Sequence, residues 1–88
     1  MNNNYYLLSC GPSEIIGVVK NDQYIKSRIK EAIGEHFDCD PESVLNERKL
    51  NEVVSLIDDV EKTKRPAFFT VEFDDFTEGV NINQVWIY

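Results

Sequence analysis

Apolar residues recur at two spacings along this chain, a period near two toward both ends and a period of about 3.6 between them. Tyr5 to Cys10 is a short apolar run stopped by Gly11-Pro12-Ser13, and Ile15 to Val19 is a second run rich in β-branched residues. Branched side chains suit a pleated surface and Gly-Pro-Ser suits a turn, so the pair predicts a β-hairpin. Gly17 is tolerable in its second strand where a bulge or a close approach occurs. From Asn21 or Asp22, either able to cap, the spacing becomes helical. Ile25, Ile29, Ala32, Ile33 and Phe37 share one side of the wheel, with Lys26, Lys30, Glu31 and Glu35 elsewhere, which predicts an amphipathic helix.

Cys39-Asp40-Pro41-Glu42 has the form of a helix start, with Asp40 as cap, Pro41 at the first helical position and Cys39 facing Val44 as a staple. Val44 and Leu45 fall opposite Leu50, Val53, Val54, Ile57 and Val60 on a continuous wheel. A break at Asn46 to Lys49 follows, leaving a brief element and then a second main helix over Leu50 to Lys62. Pro66 bars continuation. Ala67 to Phe73 alternates Phe69, Val71 and Phe73 with Phe68, Thr70 and Glu72, as a strand does. Asp74 to Gly79 reads as a loop and Val80 to Tyr88 as the last strand, whose apolar end is expected to dock. The order ββααββ predicts an α+β fold, a two-layer sandwich in which an antiparallel four-stranded sheet carries two helices on one face. Strand order is left open, because either hairpin can supply the central pair.

The chain has 88 residues, enough for one domain and too few for two, with Met1 to Asn4 as a frayed start. Nine basic against sixteen acidic residues give a net charge of −7, which disfavours direct nucleic-acid binding because that needs a basic surface. The 42 % apolar and 11 % aromatic content excludes a disordered acidic tail. Met1 to Cys10 carries no basic residue, and its apolar run Tyr5 to Leu8 is far shorter than a signal-peptide core or a membrane span. The expectation is a cytoplasmic protein with no membrane association, in which Cys10 and Cys39 are reduced thiols, a Cys10–Cys39 disulfide being the alternative for an exported chain.

Cys10-Gly11-Pro12-Ser13 after a strand resembles the thioredoxin active-site motif with its second cysteine replaced by serine, and Pro66 before a strand resembles the proline of that family that approaches the site. The resemblance implies a monothiol redox protein whose Cys10 sits at a helix N-terminus and has a depressed pKa. The residues after it depart from the family: Glu14 to Val19 is β-branched and contains a glycine, Ser9 stands where an aromatic is usual, and no helix follows the last strand. The simpler reading is a strand end and a turn.

His36 and Cys39 have metal-like spacing, but two soft ligands do not make a zinc site, and the other thiol, Cys10, is distant in sequence. Asp38-x-Asp40-x-Glu42 begins like a calcium loop, yet Ser43 stands where glycine is required and Lys49 where a bidentate glutamate is required. His36 falls on the apolar side of the first helix, where a packing role is expected. Asp58-Asp59 and Asp74-Asp75 point apart whether on helix or strand, so neither pair converges on one substrate atom. With no phosphate loop and no nucleophile beside a base, the reading is non-catalytic, with no cofactor and no metal.

Charge is segregated. Lys20 to Lys30 holds four basic residues and one acid, whereas Glu31 to Glu47 holds six acids and no base. Glu31, Glu35, Asp38, Asp40, Glu42 and Glu47 are the candidate acidic patch for docking a basic partner. Six of the ten aromatic residues lie from Phe68 onward, and alternation sends some of them to a sheet face that two helices leave bare. Phe68, Phe76 and either Trp86 or its odd-numbered neighbours are the candidates for a hydrophobic contact surface. The leading functional expectation is a protein–protein interaction module whose partner is another protein, basic or itself nucleic-acid-binding, or a second copy of the chain. The alternatives are a phage or mobile-element inhibitor that imitates nucleic acid on a nuclease, and the monothiol redox protein.

Overall fold

The computed structural model describes residues 4–85. Strands β1 (Tyr5–Ser9) and β2 (Ile15–Lys20) form the first hairpin, followed by helices α1 (Ile25–Phe37), α2 (Pro41–Val44) and α3 (Glu47–Thr63), and then β3 (Ala67–Glu72) and β4 (Thr77–Val85). All strand pairs are antiparallel and the sheet order is β2-β1-β4-β3. The expected α+β class, the four-stranded antiparallel sheet and the helical segment between two hairpins are therefore present. The central pair is built from the two sequence extremes, with Tyr5 opposite Val85 and Ser9 opposite Asn81.

Period-two alternation divides the sheet into two unlike faces. Tyr6, Leu8, Val19, Phe69, Val71, Val80 and Ile82 are buried and share one face with Ile25, Ile29 and Ile33 of α1 and Leu50, Val53, Ile57 and Val60 of α3. The helical residues repeat at intervals of three and four, so each helix turns one continuous stripe inward. α1 packs over β2, and α3 over β3 and β4. Leu45, between α2 and α3, is also buried and joins the same core.

Element ends differ from the expectations where local hydrogen bonds intervene. α1 starts at Ile25, not beside Asn21 or Asp22: the Asp22 carboxylate instead accepts the Tyr24 N–H at 2.9 Å and fixes the turn before the helix. α1 ends at Asp38, in the left-handed region at φ 51°, whose N–H donates to the Gly34 carbonyl. Gly34 is also where α2 arrives, since a Cβ there would lie 3.1 Å from Pro41 Cδ. Asp40 and Pro41 start α2 as expected, with the Asp40 carboxylate accepting the Glu42 N–H at 3.1 Å. α3 begins at Glu47, three residues before the expected Leu50, because the Asn46 side chain accepts the Lys49 N–H at 2.8 Å and caps it. β4 likewise begins at Thr77 instead of Val80. A tight turn in which the Phe73 N–H donates to the Phe76 carbonyl at 2.8 Å replaces the longer loop. The expected docking of the segment beyond Val85 lies outside the described residues.

Tyr6 is fully buried, and its hydroxyl has no hydrogen-bond partner among the described residues. Burial first, then the Glu61 and Asp58 carboxylates, raise its pKa above the ordinary 10.0. The unfolded tyrosine therefore ionises before the folded one. The stability linked to this group is intact below pH 10.0 and falls as pH climbs from there through the folded value. Tyr6→Phe should leave stability at neutral pH within about 1 kcal/mol of the parent, since it removes a buried unpaired hydroxyl. It should also flatten the decline above about pH 10 in urea unfolding. An unchanged alkaline slope in the variant would contradict the assignment.

Candidate functional site

The sheet face opposite the helices carries, in successive rows of the register, Lys20, Tyr5 and Val85; Val18, Leu7 and Asn83; Ile15, Ser9, Asn81 and Phe68; Gly79 and Thr70; and Thr77 and Glu72. Ile15 is 61 %, Val18 53 % and Phe68 57 % exposed, an unusual load for one small surface. The register shifts between Leu8 and Ser9, so Ile16 is the extra residue of a bulge. That shift leaves Ile15 on the open face while Ile16 packs against the core. Phe68 lies across Gly79 of β4, where a Cβ would meet the Phe68 ring at 2.6 Å. A diagonal aromatic over a strand glycine covers bare backbone and holds the ring flat on the sheet. Among the described residues, Lys20 and Glu72 are the charged residues of this face and stand at opposite corners of the register.

The remaining predicted contact residues fall elsewhere. Phe76 is 51 % exposed but belongs to the β3–β4 turn, where it stacks on Phe73 at 4.7 Å, which in turn meets Phe37 at 5.0 Å. It lines a hollow with Cys39, Ser43 and Val44, beside α2 and not on the open face. Cys39 and Val44, the expected staple, border the same hollow. Trp86 lies outside the described residues.

The six acidic candidates do not form one field. Glu42 is paired with Lys30 at 2.9 Å and Glu47 with Lys26, so two lysines of α1 tie down α2 and the start of α3. The hydrogen bond from Lys26 holds the Glu47 carboxyl below its usual pKa. Asp40 caps α2 and Asp38 ends α1. Glu31 and Glu35 instead line a hollow along β2 with Arg28, Ala32 and residues 16–19.

A third locus lies at the corner where the first hairpin meets the end of α1. The Cys10 N–H donates to the Glu14 carbonyl at 2.8 Å, closing the Gly11-Pro12-Ser13 turn. His36 Nε2 donates to Glu14 Oε2 at 3.0 Å, and its ring meets Phe37 edge-on at 4.7 Å. The Cys10 sulfur, a Glu14 carboxylate oxygen and a His36 ring nitrogen all lie within 4.8 Å of one another. Glu14 is the member that sequence reasoning missed, since nothing in local spacing connects residue 14 to residue 36. Cys10 is followed by a turn and β2, not by a helix that would stabilise a thiolate. Burial, then the Glu14 and Glu78 carboxylates and the hydrogen bond to Glu14, push its thiol up to about 11. Burial and the neighbouring Asp40 and Asp38 also raise Cys39.

Comparison of the chain with family models, curated proteins and solved structures returns no match. Among the described residues, no helix is long and apolar enough to cross a membrane.

Both thiols should therefore react slowly with iodoacetamide at neutral pH in the presence of EDTA. The Cys10 rate should keep rising with pH well beyond the ordinary thiol value of 9.0. Peptide mapping that found Cys10 alkylated rapidly below pH 8 would contradict this picture and revive a redox role.

Proposed function

We propose that this chain is a non-catalytic protein-binding module whose contact surface is the open sheet face, and that the occupant of that face is a second copy of the chain. The observation that carries the reading is the joint exposure of Ile15, Val18 and Phe68 on one side of a sheet whose other side is a closed core. The middle of the face is uncharged, with Asn81, Asn83, Ser9 and Thr70 among the apolar groups, so two copies can meet without burying an unpaired charge. Lys20 and Glu72 occupy opposite corners. A two-fold axis lying between the faces, along the other diagonal, seats each Lys20 beside the partner's Glu72, with the two sheets crossing near a right angle. Glu31 and Glu35 flank β2 and oppose the competing edge-to-edge pairing of that strand, because like charges would meet across it.

The nucleic-acid mimic is less well supported, because imitation of a phosphate backbone needs contiguous unpaired charge and the lysine pairs of Glu42 and Glu47 interrupt it. Four strands about 4.8 Å apart and some six residues long give a face roughly 20 Å on a side. That is at the small end of specific interfaces, so micromolar association is expected. Sedimentation equilibrium should give a monomer–dimer equilibrium with a dissociation constant on the order of 10–100 μM. Val18→Glu should weaken it at least tenfold while leaving the fold intact, because Val18 makes no part of the core. A strict monomer at several hundred micromolar, or a dimer indifferent to Val18→Glu, would overturn the reading.

A further inference from the structure

We infer that Cys10, Glu14 and His36 form a binding site for one thiophilic divalent transition ion of the zinc class. The sulfur, the carboxylate oxygen and the imidazole nitrogen already converge within 4.8 Å of one another. Around tetrahedral zinc, with bonds of about 2.0–2.3 Å, neighbouring donors stand roughly 3.3–3.8 Å apart. Closing the cluster onto an ion therefore takes a side-chain adjustment on the order of 1 Å, with no movement of the backbone required.

The three donors are pre-positioned by the fold. The Cys10 N–H bond to the Glu14 carbonyl at 2.8 Å holds both ends of the hairpin turn together. The Phe37 ring, edge-on at 4.7 Å, limits the swing of the His36 imidazole. His36 Nε2 and Glu14 Oε2 already touch at 3.0 Å, and both turn from each other to the ion when it binds.

The donor set selects the ion. One thiolate, one imidazole and one carboxylate suit zinc and its neighbours, whereas calcium and magnesium require several oxygen donors and find a single carboxylate here. Thiolate and carboxylate together supply two negative charges against a divalent cation, so the filled site is locally neutral. Binding forms three metal–ligand bonds in place of three metal–water bonds, moves the His36 ring proton from Nε2 to Nδ1 through solvent so that Nε2 can ligate, and releases the Cys10 thiol proton to solvent, with nothing oxidised or reduced. Three protein ligands leave a fourth tetrahedral position for water. The ion would clamp the first hairpin to the C-terminal turn of α1, an attachment otherwise made there by the exposed His36–Glu14 contact.

Cobalt(II) is the probe, added to the full chain with a non-thiol reductant. A thiolate-to-cobalt band in the near ultraviolet should saturate at one equivalent and be abolished by one equivalent of zinc. Cys39→Ser should leave the band unchanged, Cys10→Ser should remove it, and Glu14→Gln and His36→Gln should each weaken binding tenfold or more, all with unchanged far-ultraviolet circular dichroism. No band from a folded parent protein at several equivalents would overturn the inference, as would a band that survives Cys10→Ser or vanishes with Cys39→Ser. Should Cys10→Ser not fold, the single histidine offers an independent reading. The His36 ring resonances of the parent protein should shift on adding one equivalent of zinc, and resonances that do not move would refute the site.

Discussion

One helical layer cannot cover two sheet faces, and the molecule is organised by that shortage. The whole segment between the hairpins goes to a single side, where α1 and α3 bury stripes of isoleucine, leucine and valine on the sheet. Burying such a side chain contributes about 1.5–3 kcal/mol, so the covered side supplies the stability of a domain this small. The other side must then be stable in water while carrying the residues that alternation sends there. It does so with asparagine, serine and threonine at several positions and with Phe68 laid over Gly79. Ile15 and Val18 remain in solvent.

The same shortage explains how the ion pairs are used. Lys26 and Lys30 stand one helical turn apart on α1 and reach Glu47 and Glu42. Exposed pairs of this kind contribute little individually. Here their effect is positional, since they hold the α2 segment and the start of α3 against α1 and use up negative charge that would otherwise extend the Glu31–Glu35 field. The corner formed by Cys10, Glu14 and His36 and the open face are separate places. The bulge at Ile16 lies near both, since it ends the regular pairing of β1 and β2 just before the hairpin turn.

Strong periodicity made most elements legible in the sequence. Ile25, Ile29 and Ile33, and Phe69 with Val71, lie on the inner faces that their spacing implied. Ends were less legible wherever a short polar side chain decided them. Asn46 extends α3 backward by satisfying a backbone N–H, and apolar spacing carries no trace of that bond. β4 reaches back to Thr77 because a tight turn, closed by the Phe73 N–H on the Phe76 carbonyl, lets it pair with β3, a contact between residues on different strands that no local pattern encodes. Strand order was open for a similar reason: the choice of β1 and β4 as the central pair depends on contacts between the two extremes of the chain. The aromatic count drew attention to the last hairpin, and Phe68 does lie on the bare face. Leu7, Ile15 and Val18 of the first hairpin make up as much of that face and were overlooked, because burial on one side only becomes visible once the helices are placed. Glu14 joins His36 through the fold alone.

The one-sided core is tested most directly by methyl resonances in the presence of a soluble paramagnetic probe, recorded on dilute protein where any dimer has dissociated. The account predicts strong relaxation enhancement at Ile15 and Val18, and weak enhancement at Leu8, Val19, Val80 and Ile82, which are no more than 2 % exposed. Equal protection of Val18 and Val19, neighbours on one strand, would mean that both faces are covered and would contradict it.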